Sequence, residues 1–175
     1  MPSSATGDSA TGDTATYDKL IALLDGHGAR YRLIDHEPEG RTEIVSQMRG
    51  NRLAQAAKCI VVMVKLGKKT TRYVLAVVAG DARVDLEAIK RLLGGTYVSF
   101  ASRDIAERLA GSGSGTILPF AFHEDLALIV DPGLLANGEI FFNAARLDRS
   151  LALDTGHYRE LARPRVEPIA ATDAR

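Results

Sequence analysis

Two stretches of this chain hold residue types arranged for chemistry. The first runs from Gly111 to Pro119 and reads G-S-G-S-G-T-I-L-P. Glycine suits backbone that takes positive φ or comes close to a ligand, and proline fixes φ and gives up its N–H. Such a loop is pliant at one end and stiff at the other. With Phe120-Ala121-Phe122 to anchor it, it can aim backbone N–H and C=O groups at a small ligand. The second is Lys58, at the mouth of the run K-C-I-V-V-M-V-K. By period two it shares a strand face with Ile60, Val62 and Val64, where a lysine needs a partner. Each has a plainer reading. Gly/Ser clusters are commonly connecting loops, and strand-end lysines commonly snorkel to water or guard an edge.

Sharper motifs fail. No lysine follows Gly115, so the loop is not a Walker phosphate loop. It follows an expected helix and enters strand-like chain, the reverse of a dinucleotide fingerprint. The serines are misplaced for a G-x-S-x-G elbow. His36, in D-H-E-P, is a possible acid or base. His27, His123 and His157 are scattered without metal spacing, so no metal or cofactor is expected. Cys59 alternates away from Lys58 and reads as a small buried hydrophobe. Neither a Ser/His/Asp nor a Cys/His set can be assembled. The basic hairpin tip at Lys65, Lys68, Lys69 and Arg72 could touch a phosphate backbone or merely keep an edge soluble.

The elements that must position these groups are legible from periodicity and punctuation. Tyr17, Leu20, Ile21 and Leu24 mark a helix capped by Thr16, and Tyr31–Ile34 a strand running into a turn at residues 35–40. Thr42 caps a helix carrying Ile44, Val45 and Met48, closed by Gly50. Lys58–Lys65 and Thr70–Ala79 form a hairpin. Asp85 and Ser102 cap two further helices, ended by Gly94 and Gly111, with a strand at Thr96–Phe100 between them. Strands follow at Leu126–Val130, Glu139–Asn143 and Ser150–Leu153. A helix spans Thr155–Leu161, and a last strand lies near Val166–Ile169. Helices and strands intermixed, with hairpins dominating, predict a single α+β domain with a mixed, strongly curved sheet.

The chain has 175 residues, enough for one domain with a core. Residues 1–14 are expected to be a disordered tail, 15–171 the domain and 172–175 a short tail. Acidic and basic residues balance at 22 each, which argues against a DNA-coating protein. The single cysteine suits a reducing, cytoplasmic compartment. No apolar run suggests a signal peptide or a membrane span.

Several pieces together resemble the family of YbaK-like and prolyl-tRNA-synthetase-associated editing domains, closest to its YeaK-type free-standing members. They are A-K-C-I-V-V-M-V-K, V-L-A-V-V-A-G-D followed by V-D-L-E-A-I-K, G-T-I-L-P-F, L-I-V-D-P, I-F-F-N-A and L-D-R-S. Their order covers Tyr17 to Ile169. The resemblance implies a partial-barrel sheet with flanking helices and hydrolysis of the ester of mischarged aminoacyl-tRNA. It puts the family's phosphate-holding lysine on Lys58 and its G-x-x-x-P loop on Gly115, Thr116, Ile117, Leu118 and Pro119. It implies a small or medium amino acid, a pocket walled by His36, Thr42, Val45, Met48, Asn143 and Ser150, and help to the water from the tRNA's terminal hydroxyl. The partner is aminoacyl-tRNA, with an aminoacyl-tRNA synthetase as a further candidate. One departure is Ala145, where the family often has glycine. The alternatives are a tRNA- or synthetase-binding module without hydrolysis, and a hydrolase of another small ester or amide.

Overall fold

A computed structural model describes residues 14–171. Helix α1 is Thr14–Gly26, β1 is Tyr31–Asp35 and α2 is Thr42–Arg49. A 3-10 turn at Leu53–Gln55 leads into β2, Ala57–Leu66, and β3, Thr70–Ala79. Then come β4 (Arg83–Val84), α3 (Leu86–Leu93), β5 (Tyr97–Phe100) and α4 (Arg103–Ala110). The last part holds β6 (Leu126–Val130), α5 (Pro132–Leu135), β7 (Glu139–Asn143), β8 (Arg149–Asp154), α6 (Thr155–Ala162), β9 (Arg165–Val166) and β10 (Ala170–Ala171).

The β2–β3 hairpin is the spine, paired without a break from Ala57–Ala79 to Leu66–Thr70. It sits in a five-stranded sheet of order β5-β2-β3-β6-β9, in which the β3–β6 and β6–β9 pairs are parallel and the β5–β2 and β2–β3 pairs antiparallel. A second, antiparallel sheet has order β1-β8-β7, and β4 pairs with β10. One isolated parallel bridge, Ala56 to Phe141, links β7 to the chain entering β2. The expected mixed α+β domain is what forms.

Both faces of β3 are buried, which is why its run is almost continuously apolar. Leu75 and Val77 join Leu20, Leu24, Leu118, Phe142 and Tyr158 in one core. Val74, Ala76 and Val78 join Val62, Ile89 and Ile169 in the other. Asp131 ties the C-terminal segment across them: Oδ1 accepts from the N–H of Ile169 and Ala170 at 2.9 and 3.0 Å, and Oδ2 from Gly133 at 2.9 Å.

The expected caps Asp85 and Ser102 each accept from the third residue onward, and Gly94 and Gly111 end their helices in the left-handed region. Three boundaries differ. The first helix starts at Thr14, so Thr16 lies inside it and its hydroxyl instead donates to Gly111 O at 2.5 Å. Arg41, not Thr42, is the N-cap of α2, and it makes no side-chain cap bond. The expected last strand is two two-residue strands in different sheets, because Pro168 offers no N–H to a ladder. The expected tails lie outside the described residues, apart from Thr14.

Candidate functional site

Three connecting segments meet at one point. They are residues 36–40 after β1, residues 112–116 after α4, and the β7–β8 connection. At the crossing, two glycines lie back to back. A Cβ on Gly115 would stand 2.9 Å from Gly40 Cα, and one on Gly40 would stand 3.2 Å from Gly115 Cα. Gly115 has φ +84°. Both the contact and the dihedral exclude an L side chain, so the sequence's alternating glycines have a backbone reason here.

Asn143 pins the crossing. Its Nδ2 donates to Glu39 O and to Gly115 O, each at 2.8 Å. Because both partners are carbonyls, the amide orientation is fixed, and Oδ1 must face Ser150, whose hydroxyl donates to it at 2.9 Å. His36 Nε2 lies 2.7 Å from Ser150 Oγ, and its Nδ1 lies 2.8 Å from Glu37 O. With its one hydrogen spent on Asn143, Ser150 can only accept at Nε2, and Glu37 O can only accept at Nδ1, so a neutral ring donates to one of the two at a time. Ser150 is fully buried and Asn143 is 7% exposed, so the bond between them is shielded from water.

The loop itself is a closed turn. Thr116 donates through N–H and hydroxyl to Gly113 O at 3.0 and 2.6 Å, and Ser112 Oγ donates to Thr116 O at 3.1 Å. Its stiff end is seated in the core: Leu118 is buried, and Tyr158 donates to Pro119 O at 2.7 Å. The serines are therefore structural, as the missing nucleophile motif implied. Among the described residues no acceptor takes the N–H of Gly115 or Ile117. These two donors are what the loop has to offer a ligand.

Glu107 of α4 holds the outer side. Its Oε2 accepts from Ser114 N–H at 3.0 Å, Ser114 Oγ at 3.1 Å and Arg103 at 3.2 Å. The Ser114 amide, first, and then Arg103 hold the Glu107 carboxyl below the usual range. A carboxylate whose folded pKa is depressed stabilises the fold above its unfolded pKa, and that stability is lost as pH falls through the folded value. Thermal melts should therefore show Glu107→Gln less stable than wild type at neutral pH. The gap should close as pH falls below the ordinary glutamate range. A gap unchanged down to strongly acid pH would refute this anchoring.

Lys58 stands elsewhere. It leaves the sheet beside Ile60, as expected, and its Nζ donates to Ala82 O at 2.5 Å. It lines a groove of about 540 Å3 with Ile60, Arg83, Leu86 and Phe100. Among the described residues no hydrogen bond joins it to the Gly115 loop. The strand that carries Lys58 and the strand that carries Asn143 belong to different sheets, joined by the isolated Ala56–Phe141 bridge. Thr42, at the start of α2, lies against Gly80, in the turn that carries the Ala82 carbonyl.

Of the expected pocket walls, His36, Asn143 and Ser150 come together, bonded to one another rather than lining open space. Val45 is buried at 3% and Met48 is exposed at 44%. Cys59 packs against the core as a partly buried side chain, its thiol pushed far up by desolvation. Among the described residues no group of histidines, cysteines and carboxylates could hold a metal. No helix among them is long and apolar enough to cross a membrane. Sequence reasoning missed Arg49, which donates to Ser150 from α2. The available signal was a cation on the helix face of Val45 and Ser46.

A sequence model of the aminoacyl-tRNA editing domain matches residues 36–161, which take in all three converging segments and Lys58. The chain belongs to the aminoacyl-tRNA editing domain family. It is 41% identical over 151 residues to the multifunctional Ser/Thr-tRNA deacylase ProXp-y of Escherichia coli K12, covering 86% of this chain and 90% of that protein. A crystal structure of a candidate trans-editing enzyme for prolyl-tRNA synthetase superposes with TM-score 0.74 at 20% identity, covering 91% of this chain and 99% of that one. The crystal structure of a hypothetical protein gives TM-score 0.78, also at 20% identity, over 87% and 99% of the two chains. At that identity the two structures speak to the editing-domain fold alone. Ala145 takes φ +62° and is fully buried two residues after Asn143. An L residue there is strained, beside a side chain that sets the crossing.

Proposed function

We propose that this chain is a trans-editing hydrolase that cleaves the ester of mischarged aminoacyl-tRNA. The observation that carries the reading is the pinned Gly115 crossing, within a chain 41% identical to a Ser/Thr-tRNA deacylase. Seryl- and threonyl-esters are the substrates this favours within the small and medium amino acids. In the reaction, water adds to the aminoacyl carbonyl and the carbonyl oxygen takes up negative charge. The carbon–oxygen bond to the ribose then breaks, and the water's proton ends on the ribose oxygen. The N–H groups of Gly115 and Ile117 are the donors for that developing charge, each worth about 10²–10³ in rate by analogy with other oxyanion donors. An aminoacyl ester is already reactive, so a positioned water suffices and no side-chain nucleophile is required. Lys58 supplies a compact positive charge for the phosphate of the terminal adenosine. A tRNA substrate places the work in the cytoplasm, and a synthetase that releases the mischarged tRNA is the natural partner.

The test is ester loss from a panel of tRNAs charged with alanine, serine, threonine, proline and cysteine, using wild type and Lys58→Ala. Seryl- or threonyl-tRNA should be cleared well above the spontaneous rate. Losing one charge-assisted phosphate contact should lower kcat/KM about 10- to 100-fold. It should also flatten the salt dependence of binding by about one ion. Binding of tRNA without ester loss would replace the enzyme with a binding module. Cleavage of small esters without any salt dependence would remove tRNA from the reading.

A further inference from the structure

Arg49 is a cation with no counter-ion. It is largely buried at the end of α2, and among the described residues no carboxylate lies within ion-pair distance. Its three donor nitrogens all go to neutral oxygens. Nε donates to Asn51 Oδ1 at 2.9 Å, Nη1 to Ser150 Oγ at 3.0 Å and Nη2 to Ser46 Oγ at 3.3 Å. The guanidinium also lies over the Phe141 ring, 6.0 Å from its centroid. Burial pulls its pKa down to about 10. A buried, unpaired charge destabilises a fold, so stability does not explain this arginine.

Its bonding does. Ser150 Oγ has two lone pairs and one hydrogen. The hydrogen goes to Asn143 Oδ1, and the lone pairs face Arg49 Nη1 and His36 Nε2. A guanidinium always donates, whereas a neutral imidazole has one N–H to divide between Ser150 and Glu37 O. Arg49 is therefore the permanent donor that forces the Ser150 hydrogen toward Asn143. That turns the Asn143 amide so that Nδ2 faces Glu39 O and Gly115 O. The Gly115 carbonyl belongs to the peptide whose other end, Thr116 N–H, bonds Gly113 O. Fixing that plane limits the two flanking planes, which carry the Gly115 and Ile117 N–H groups, to what rotation at Gly115 and Thr116 allows.

We propose that Arg49 is a positioning residue, which acts through Ser150 and Asn143 to hold the Gly115 peptide in its working orientation. This rests on the reading of that loop as the catalytic loop. The experiment compares wild type, Arg49→Met, Arg49→Lys, Ser150→Ala and the double variant Arg49→Met/Ser150→Ala. It measures seryl-tRNA deacylation, thermal melting and the backbone NMR resonances of residues 113–117. Arg49→Met should lower kcat about 10- to 100-fold, the range for a misplaced catalytic group, with KM within about twofold. Its melting temperature should stay near that of wild type, because an unpaired buried charge is also removed. Arg49→Lys should recover part of kcat. The double variant should be no slower than the slower single, as members of one relay are not additive. The Gly115 resonance should shift or broaden in Arg49→Met. Full kcat in Arg49→Met, or additive losses in the double variant, would overturn the relay. An inactive wild type would sink the functional reading instead. The NMR arm would then decide the relay alone, an unmoved Gly115 resonance refuting it.

Discussion

Gly115→Ala should leave a folded protein that barely deacylates. A methyl at φ +84° costs about 1–2 kcal/mol for the left-handed backbone alone. The same methyl would lie 2.9 Å from Gly40 Cα, a backbone atom that cannot rotate away. The loop must therefore slide off Gly40, and it cannot do so while keeping the Gly115 carbonyl 2.8 Å from Asn143. The donors at Gly115 and Ile117 move with it. Two misplaced oxyanion donors at about 10²–10³ each set the scale, so kcat should fall at least about 10²-fold. Gly115 is exposed and the loop's far end is held by Leu118 and Pro119, so melting should drop by only a few degrees. Gly138→Ala is the control, since a Cβ there meets nothing within 4 Å. It should be silent in both assays. A Gly115→Ala variant with wild-type kcat would remove the loop from the mechanism.

What the sequence revealed was the part governed by short-range rules. The β2–β3 hairpin, the Asp85 and Ser102 caps and the left-handed glycines depend on neighbours a few residues away, and they are where periodicity puts them. The crossing depends on pairs far apart in the chain: Asn143 to Gly115 spans 28 residues, and His36 to Ser150 spans 114. No local pattern encodes such a bond. The residues themselves marked His36 only as a possible acid or base, and resemblance alone brought Asn143 and Ser150 forward and grouped the three as pocket walls. The structure makes them ties between loops. Met48 shows a different limit. An apolar residue on an amphipathic helix is expected to face inward, yet here Ser46 and Arg49 share the inner side with Val45 and Met48 is exposed. Polar residues on an inner face break binary patterning, and such breaks gather where function, not stability, dictates the residue.

The second large effect falls on Asn143, where fold and site share one side chain. Asn143→Ala would strip the donor from two carbonyls, Glu39 O and Gly115 O, and the acceptor from the Ser150 hydroxyl. Each buried polar group left unpaired costs about 1–3 kcal/mol, less where water can reach it, as it can at the exposed Gly115. The net loss should be about 2–4 kcal/mol, or roughly 5–15 °C in melting for a chain of this size. Asn143→Asp sharpens the test because it keeps the shape and inverts the chemistry. An ionised carboxylate accepts only, and it would face two carbonyl oxygens at the distance where the amide now donates. The loops must then part, or the carboxyl must stay protonated and donate to one of them. Asn143→Asp should thus fall below Asn143→Ala in kcat at neutral pH and recover toward it as acid protonates the carboxyl. If both variants instead kept wild-type kcat while losing stability, Asn143 would be a tie for the fold alone. The orientation of Gly115 would then be set by the loop's own turn through Thr116 and Gly113.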